Sequence, residues 1–214
     1  RAIQGKASKF IGLIFPTLNN PFYAELVNDL EYQLFTKGYK TIIASSTLSK
    51  AMERDYLSML VANQVDGIIS GTHNLDIKAY HSIDSPIVSF DRYLADGIPI
   101  VSSDNYQGGR LAAKFLVDHH VKNVAMIVDE DTSASPTLNR LQGAGDYLNH
   151  HQIHYTPLTR TAIDFEKTFP SNYDAVLASN DVDALVILRL AEKSGKKVNQ
   201  DFFVTGYDGS ELIR

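Results

Sequence analysis

Along this chain, short apolar runs with few polar interruptions alternate with longer stretches in which apolar residues return at helical spacing. An uninterrupted apolar run suits a strand covered on both faces, and strand–helix alternation suits parallel strands in a layered α/β sheet. Phe10 to Phe15 reads as the first strand. The helix after it places Tyr23, Leu26, Val27, Leu30 and Leu34 on one face and stops at Lys37-Gly38, a cation and a glycine suited to a helix end. Thr41 to Ala44 is the second strand. A helix from about Lys50 is expected to carry Met52, Tyr56, Met59 and Leu60 inward, and Val65 to Ser70, Pro86 to Phe90 and Ile98 to Val101 supply further strands.

The rhythm restarts after Asp104-Asn105. A helix through Leu111, Phe115 and Leu116 leads to a strand Val124 to Val128, then to a helix through Leu141, Tyr147 and Leu148. A strand Ala175 to Ala178, a helix using Leu185, Leu188 and Leu190 or Ala191, and a strand Phe202 to Thr205 complete the series. The pattern predicts an α/β fold of two tandem Rossmann-like lobes with parallel sheets, 9–103 and 104–206, with 207–214 crossing back toward the first lobe. No low-complexity or Pro/Gly/Ser-rich linker separates them, so short extended crossings are expected near Ser103-Asp104 and after Tyr207.

Composition narrows what such lobes can do. The 214 residues are 44% hydrophobic and 21% charged, enough for two cores. No apolar run approaches the roughly 20 residues of a membrane-spanning helix, and no signal-peptide core opens the chain. The absence of cysteine removes disulfides and thiolate metal sites, while a formal charge of −5 argues against a large phosphate-binding surface.

In open parallel sheets, ligands bind beyond the carboxyl ends of the strands, and polar residues fall there repeatedly. Asn20, Asp91-Arg92, Asp104, Asn180-Asp181 and Asp208 each follow an expected strand. Thr17-Leu18-Asn19-Asn20-Pro21-Phe22-Tyr23 joins amides to adjacent aromatics, the two chemistries that a sugar's polar edges and C–H faces require. The same residues also suit a helix start, with Asn20 as N-cap and Pro21 at the first helical position. Asp91 and Asp208, set against Arg92 and Arg140, would leave a nearly neutral site fit for an uncharged polyol. Asn180 could be only a cap, Asp181 and Asp183 only a favourable first turn, and Phe165 either a ligand-stacking or a core aromatic. Enzyme signatures such as G-x-G-x-x-G, the P-loop, G-x-S-x-G and H-E-x-x-H are absent. Asp129-Glu130-Asp131 opens like a calcium loop, but Ala134 and Arg140 stand where its glycine and glutamate belong. His150, His151 and His154 read as a helix end and its exit rather than a metal cluster, as does His119-His120. No metal or cofactor is expected.

Several segments also resemble the effector domains of LacI/GalR-type transcriptional repressors, whose fold is that of the type I periplasmic sugar-binding proteins. They are Ile11 to Ile14 leading into Asn19 to Tyr23, Gln64 to Ile69, Phe90-Asp91-Arg92, Ser103-Asp104-Asn105 with Gly108 to Ala112, Arg140 to Gly143, Ala178 to Asp181 and Gly206 to Gly209. The resemblance implies a sugar bound in a cleft between the lobes. Carried over from the ribose-binding members, its contacts fall on Asn20, Phe22, Tyr23, Asp91, Arg92, Arg140, Phe165, Asn180 and Asp208, with Tyr23 replacing a phenylalanine. The family's closing glutamine, final strand, final helix and third crossing are expected beyond Arg214.

On this resemblance, residues 1–8 are a linker from a DNA-binding domain. The implied protein is a cytoplasmic, homodimeric sugar sensor that reaches operator DNA only through an N-terminal helix-turn-helix, with no membrane partner. Ribose ranks first as ligand, then fructose or a fructose-containing sugar such as sucrose, with a purine still possible. A sugar-binding protein of an ABC transporter is the alternative. A glycoside hydrolase using Asp91 and Asp208 is disfavoured, because guanidinium neighbours are expected to hold both acids too low in pKa for a general acid.

Overall fold

A computed structural model of the chain describes residues 7–74, 77–128, 136–159 and 172–211. The chain divides into two compact units, Arg1–Ser103 and Asp104–Arg214.

The first unit is built on a parallel sheet of order β2-β1-β3-β4-β5: β1 (Phe10–Phe15), β2 (Lys40–Ser45), β3 (Gly67–Ser70), β4 (Ile87–Phe90) and β5 (Ile100–Val101). Helices α1 (Pro21–Thr36) and α2 (Lys50–Ala62) cover opposite faces. Alternation within β1 explains how. Leu13 and Phe15 pack with Val27, Leu30 and Leu34 of α1, while Ile14 packs with Leu57 and Leu60 of α2. α1 ends as expected, at Lys37 followed by Gly38 at φ +82°.

The inward face of α2 differs from the expected one. Met52 and Met59 are 38% and 37% exposed, and Glu53, Leu57 and Leu60 point inside, with Tyr56 partly buried beside them. The physical reason is Glu53: its carboxylate is 0% exposed yet fully occupied, so a charged residue takes a core position that hydrophobicity would give to methionine. A 3-10 turn, Lys78–Ser82, supplies one of its donors, Tyr80.

The second unit repeats the plan as a four-stranded parallel sheet of order β7-β6-β8-β9: β6 (Asn123–Val128), β7 (His154–Thr159), β8 (Ala175–Leu177) and β9 (Phe203–Thr205). Helices α3 (Asn105–Asp118) and α4 (Pro136–His150) cover one face, packing on Val124 and Met126, and α5 (Asp181–Lys193) covers the other, packing on Ala125 and Ile127. The inward positions of α5 are Asp181, Ala184, Ile187 and Ala191; Ala191 is as expected, while Leu185, Leu188 and Leu190 sit beside the buried line rather than on it. His150 closes α4, whereas His154 opens strand β7.

Two glycines set the distance between α3 and α4. A Cβ on Gly109 would stand 1.8 Å from the Arg140 carbonyl oxygen, and one on Gly143 would stand 2.0 Å from that of Tyr106. The backbones therefore touch, which fixes where α4 presents Arg140.

Candidate functional site

In the first unit the chemistry gathers at the carboxyl ends of β1, β3 and β4. Asn20 caps α1, its side-chain oxygen accepting from the Phe22 N–H at 3.0 Å, with Pro21 at the first turn. This cap turns Phe22 and Tyr23 back over the sheet edge. Their rings lie 5.3 Å apart edge to face, Phe22 lies 5.9 Å from Phe90, and Tyr23 lies 5.9 Å from Phe15. Asp91 and Arg92 leave β4 together. Asp91 has φ +63°, a left-handed conformation that aspartate tolerates better than most residues, and the Arg92 carbonyl accepts from the Ser89 hydroxyl.

Sequence reasoning missed one member of this group. His73, on the loop after β3, shares a 2.6 Å hydrogen bond between its Nε2 and the Tyr23 hydroxyl, and its ring meets Tyr23 edge to face at 5.7 Å. One edge of the imidazole is open, yet enclosure by the protein and the charge of Arg92 push its pKa down to about 4, so the ring is neutral near pH 7. A lone histidine between Thr72 and Asn74 carries no motif; only the fold brings it to Tyr23.

The second unit assembles its own cluster at the ends of β8 and β9. Arg140 is 8% exposed; its Nε and Nη2 donate to Asn105 Oδ1 at 3.2 and 2.8 Å, its Nη1 to the Ser179 carbonyl, and its guanidinium lies over the Tyr207 ring, 3.2 Å from the centroid. Asn180 caps α5 by accepting from the Asp183 N–H at 2.9 Å, and its amide donates to Asp183 Oδ2 at 3.2 Å. Asp181 accepts from the Ser210 N–H at 2.9 Å. Asn105, Ser179 and Tyr207 frame Arg140 without having been singled out as site residues, because each reads in sequence as a helix start or a strand exit.

Asp208, at φ +65°, corrects the expectation that its guanidinium neighbour would hold it low. Its pKa is pushed up to about 6, first by burial; Arg140 opposes the rise and Asp181 and Asp183 reinforce it. Those two carboxylates also upset the expected charge balance, since three acids stand about one guanidinium here. Asn20, Phe22, Tyr23 and Arg92 are thus brought together in one unit, with Asp91 beside Arg92 at the same strand exit. Arg140, Asn180 and Asp208 are brought together in the other. Phe165, residues 1–6 of the expected linker 1–8 and the segment Asp129 to Asp131 lie outside the described residues.

Two units of parallel strands with polar, aromatic-lined strand exits define a class of small-molecule binding proteins. Residues 8–210 match the family described as periplasmic binding proteins and sugar binding domain of LacI family, and the chain belongs to it. It is 44% identical, over its whole length and 68% of the relative's, to a sucrose operon repressor of Pediococcus pentosaceus. It is 31% identical, over 97% of its length and 66% of the relative's, to the ribose operon repressor of Bacillus subtilis strain 168. Among solved structures, a periplasmic binding protein/LacI transcriptional regulator from Alkaliphilus metalliredigens, complexed with D-xylulofuranose, superposes with TM-score 0.84 at 28% identity, over 95% of this chain and 79% of that one. The chain is therefore the effector-binding domain of a LacI-family regulator, with the type I periplasmic-binding-protein fold, and not an enzyme. Among the described residues no helix is long and apolar enough to cross a membrane.

Proposed function

We propose that this chain is the sensor of a carbohydrate-operon repressor and binds a fructose-type sugar, sucrose foremost, through the residues of both clusters. The observation that carries the reading is the set of rings of Phe22, Tyr23 and Phe90 beside the polar exit Asp91-Arg92. Rings take the C–H faces of a sugar, and the ions take its hydroxyl pairs. The second unit offers Asn180, Asp208 and the Arg140 frame, so a ligand touching both sets would favour one arrangement of the two units over others.

The relatives reorder the candidate sugars. Carry-over of contacts placed ribose first, but the 44% identity to a repressor named for sucrose exceeds the 31% to one named for ribose. The D-xylulofuranose bound by the Alkaliphilus relative is a furanose, as is the fructose moiety of sucrose. Like other repressors of this class the protein would act in the cytoplasm as a pair of identical subunits, reaching operator DNA through a separate helix-turn-helix. Calorimetric titration near pH 7 with sucrose, fructose, ribose and adenosine tests the reading. Saturable heat with sucrose or fructose, lost in Arg92→Ala, is the expected result. Saturation by adenosine alone, or by no member of the panel, would refute it.

A further inference from the structure

Around the loop that follows β3, hydrogen bonds converge from below on a single carboxylate. Glu53 Oε2 accepts from the Thr72 hydroxyl and, at 2.6 Å, from the Asn74 amide; Glu53 Oε1 accepts from the Tyr80 hydroxyl at 2.6 Å. Tyr80 in turn meets the Ser70 hydroxyl at 2.8 Å, and the Asn74 N–H donates to Thr72 Oγ1 at 3.0 Å. The residues on either side of His73 are thus tied to one buried oxygen of α2. With both neighbours pulled into the core, the alternating chain aims His73 the other way, onto Tyr23.

A buried carboxylate with three donors and no cation among those contacts is a costly way to hold a loop, and packing alone would not require it. What it secures is the position of one imidazole. Among the described residues that imidazole has its Nε2 engaged with Tyr23 and no hydrogen bond at Nδ1. Being neutral, it presents a donor or an acceptor according to tautomer, which matches a hydroxyl and rejects neither orientation of it.

We propose that His73 is a further ligand-contacting and specificity-determining residue of the sugar site, bonding a ligand hydroxyl through Nδ1, with Glu53 as the positioning residue that holds it there. This rests on the sugar-sensor reading above and adds to it a residue outside the set inferred from the ribose-binding members.

The test is calorimetry of the 214-residue chain and its variants with sucrose, fructose and ribose, together with imidazole NMR spectra before and after sugar. His73→Ala, at an open position, is expected to fold normally and to lose about tenfold in affinity, and His73→Gln to recover most of it, since an amide also both donates and accepts. The His73 ring signals should shift on addition of sugar. Should Glu53→Gln prove too unstable to assay, Asn74→Ala loosens the same loop from one side and should weaken binding less than His73→Ala does. Sugar binding in the parent chain with His73→Ala unchanged and its ring signals unmoved would overturn this inference alone. A parent chain that binds none of the three sugars would overturn it and the sensor reading together.

Discussion

Replacing Asp208 by asparagine should stabilise the protein near neutral pH while destroying its ligand response. The carboxyl is raised from its ordinary 3.8 to about 6, with burial the first cause. The folded state therefore binds more protons than the unfolded state between those values, and by linkage stability falls as pH rises through the window. Above about pH 6 the ionised group costs up to about 3 kcal/mol, each pKa unit being worth about 1.4 kcal/mol. Because part of the side chain is open to water, about 1 to 2 kcal/mol is the fair expectation. An asparagine in its place would keep the shape and lose the charge. Urea unfolding of the parent and Asp208→Asn should then give nearly equal stabilities near pH 3, below both pKa values, and a variant advantage of about 1 to 2 kcal/mol near pH 7.5. Sugar affinity at the higher pH should fall by more than about tenfold, as for loss of a charged acceptor. A difference in stability that does not change with pH would show that Asp208 is not held above its ordinary pKa, and the reasoning from burial would fail.

Gly109→Ala forces a methyl group to within 1.8 Å of the Arg140 carbonyl oxygen, a backbone atom that cannot rotate away; thermal melting should show a loss of about 3 kcal/mol or more, as for severe overpacking. Glu53→Leu leaves Thr72, Asn74 and Tyr80 without their shared acceptor, and should cost about 3 kcal/mol in urea unfolding, whereas Met52→Ala on the exposed face of the same helix should change stability by less than about 1 kcal/mol. Asn180→Ala removes the cap of α5; about 1 kcal/mol of stability should go with it, and sugar affinity as well.

The elements were legible because buried strands must be apolar and helices covering them must repeat near every fourth residue. What escaped has a common physical origin. The inward faces of α2 and α5 both begin with an acid, Glu53 and Asp181, whose oxygens are occupied by hydroxyl, amide or backbone donors. A satisfied carboxylate belongs in a core but has no hydrophobic signature, so reading apolar residues alone places Leu60 and Ala191 correctly but assigns Met52, Met59, Leu185 and Leu188 to positions that their neighbours fill. Strand β7 escaped because it is an edge strand that carries Pro157 and begins at His154, a composition that hydrophobic runs do not flag. At the candidate site, Asn20, Arg92, Arg140, Asn180 and Asp208 announced themselves by charge or amide chemistry at strand exits. His73 did not, since its meaning comes from Tyr23, 50 positions away.

The two aspartates at the strand exits carry the functional argument further than their charges do. Within their sheets β4 and β9 stand two places from β1 and β6 respectively, each reached across β3 or β8, so they are corresponding strands of a repeated plan. Asp91 follows β4 directly and Asp208 follows β9 after Gly206-Tyr207, and both adopt positive φ, at +63° and +65°. Of the other non-glycine residues in that region, Gln64, His120 and Gln152 lie just past the ends of α2, α3 and α4, where a left-handed residue satisfies the last carbonyls, while Lys9, Thr47, Leu48 and Asn199 lie in loops. Neither aspartate closes a helix. A non-glycine residue in this region costs on the order of 1 kcal/mol and persists where the surroundings over-determine it, which happens most often at ligand sites. Glycine would relieve the strain at either position but would remove a carboxylate from the strand end where hydroxyls are best received. The same conformation at matching places in two lobes with different sequences is what the proposed role of both aspartates as ligand contacts would require.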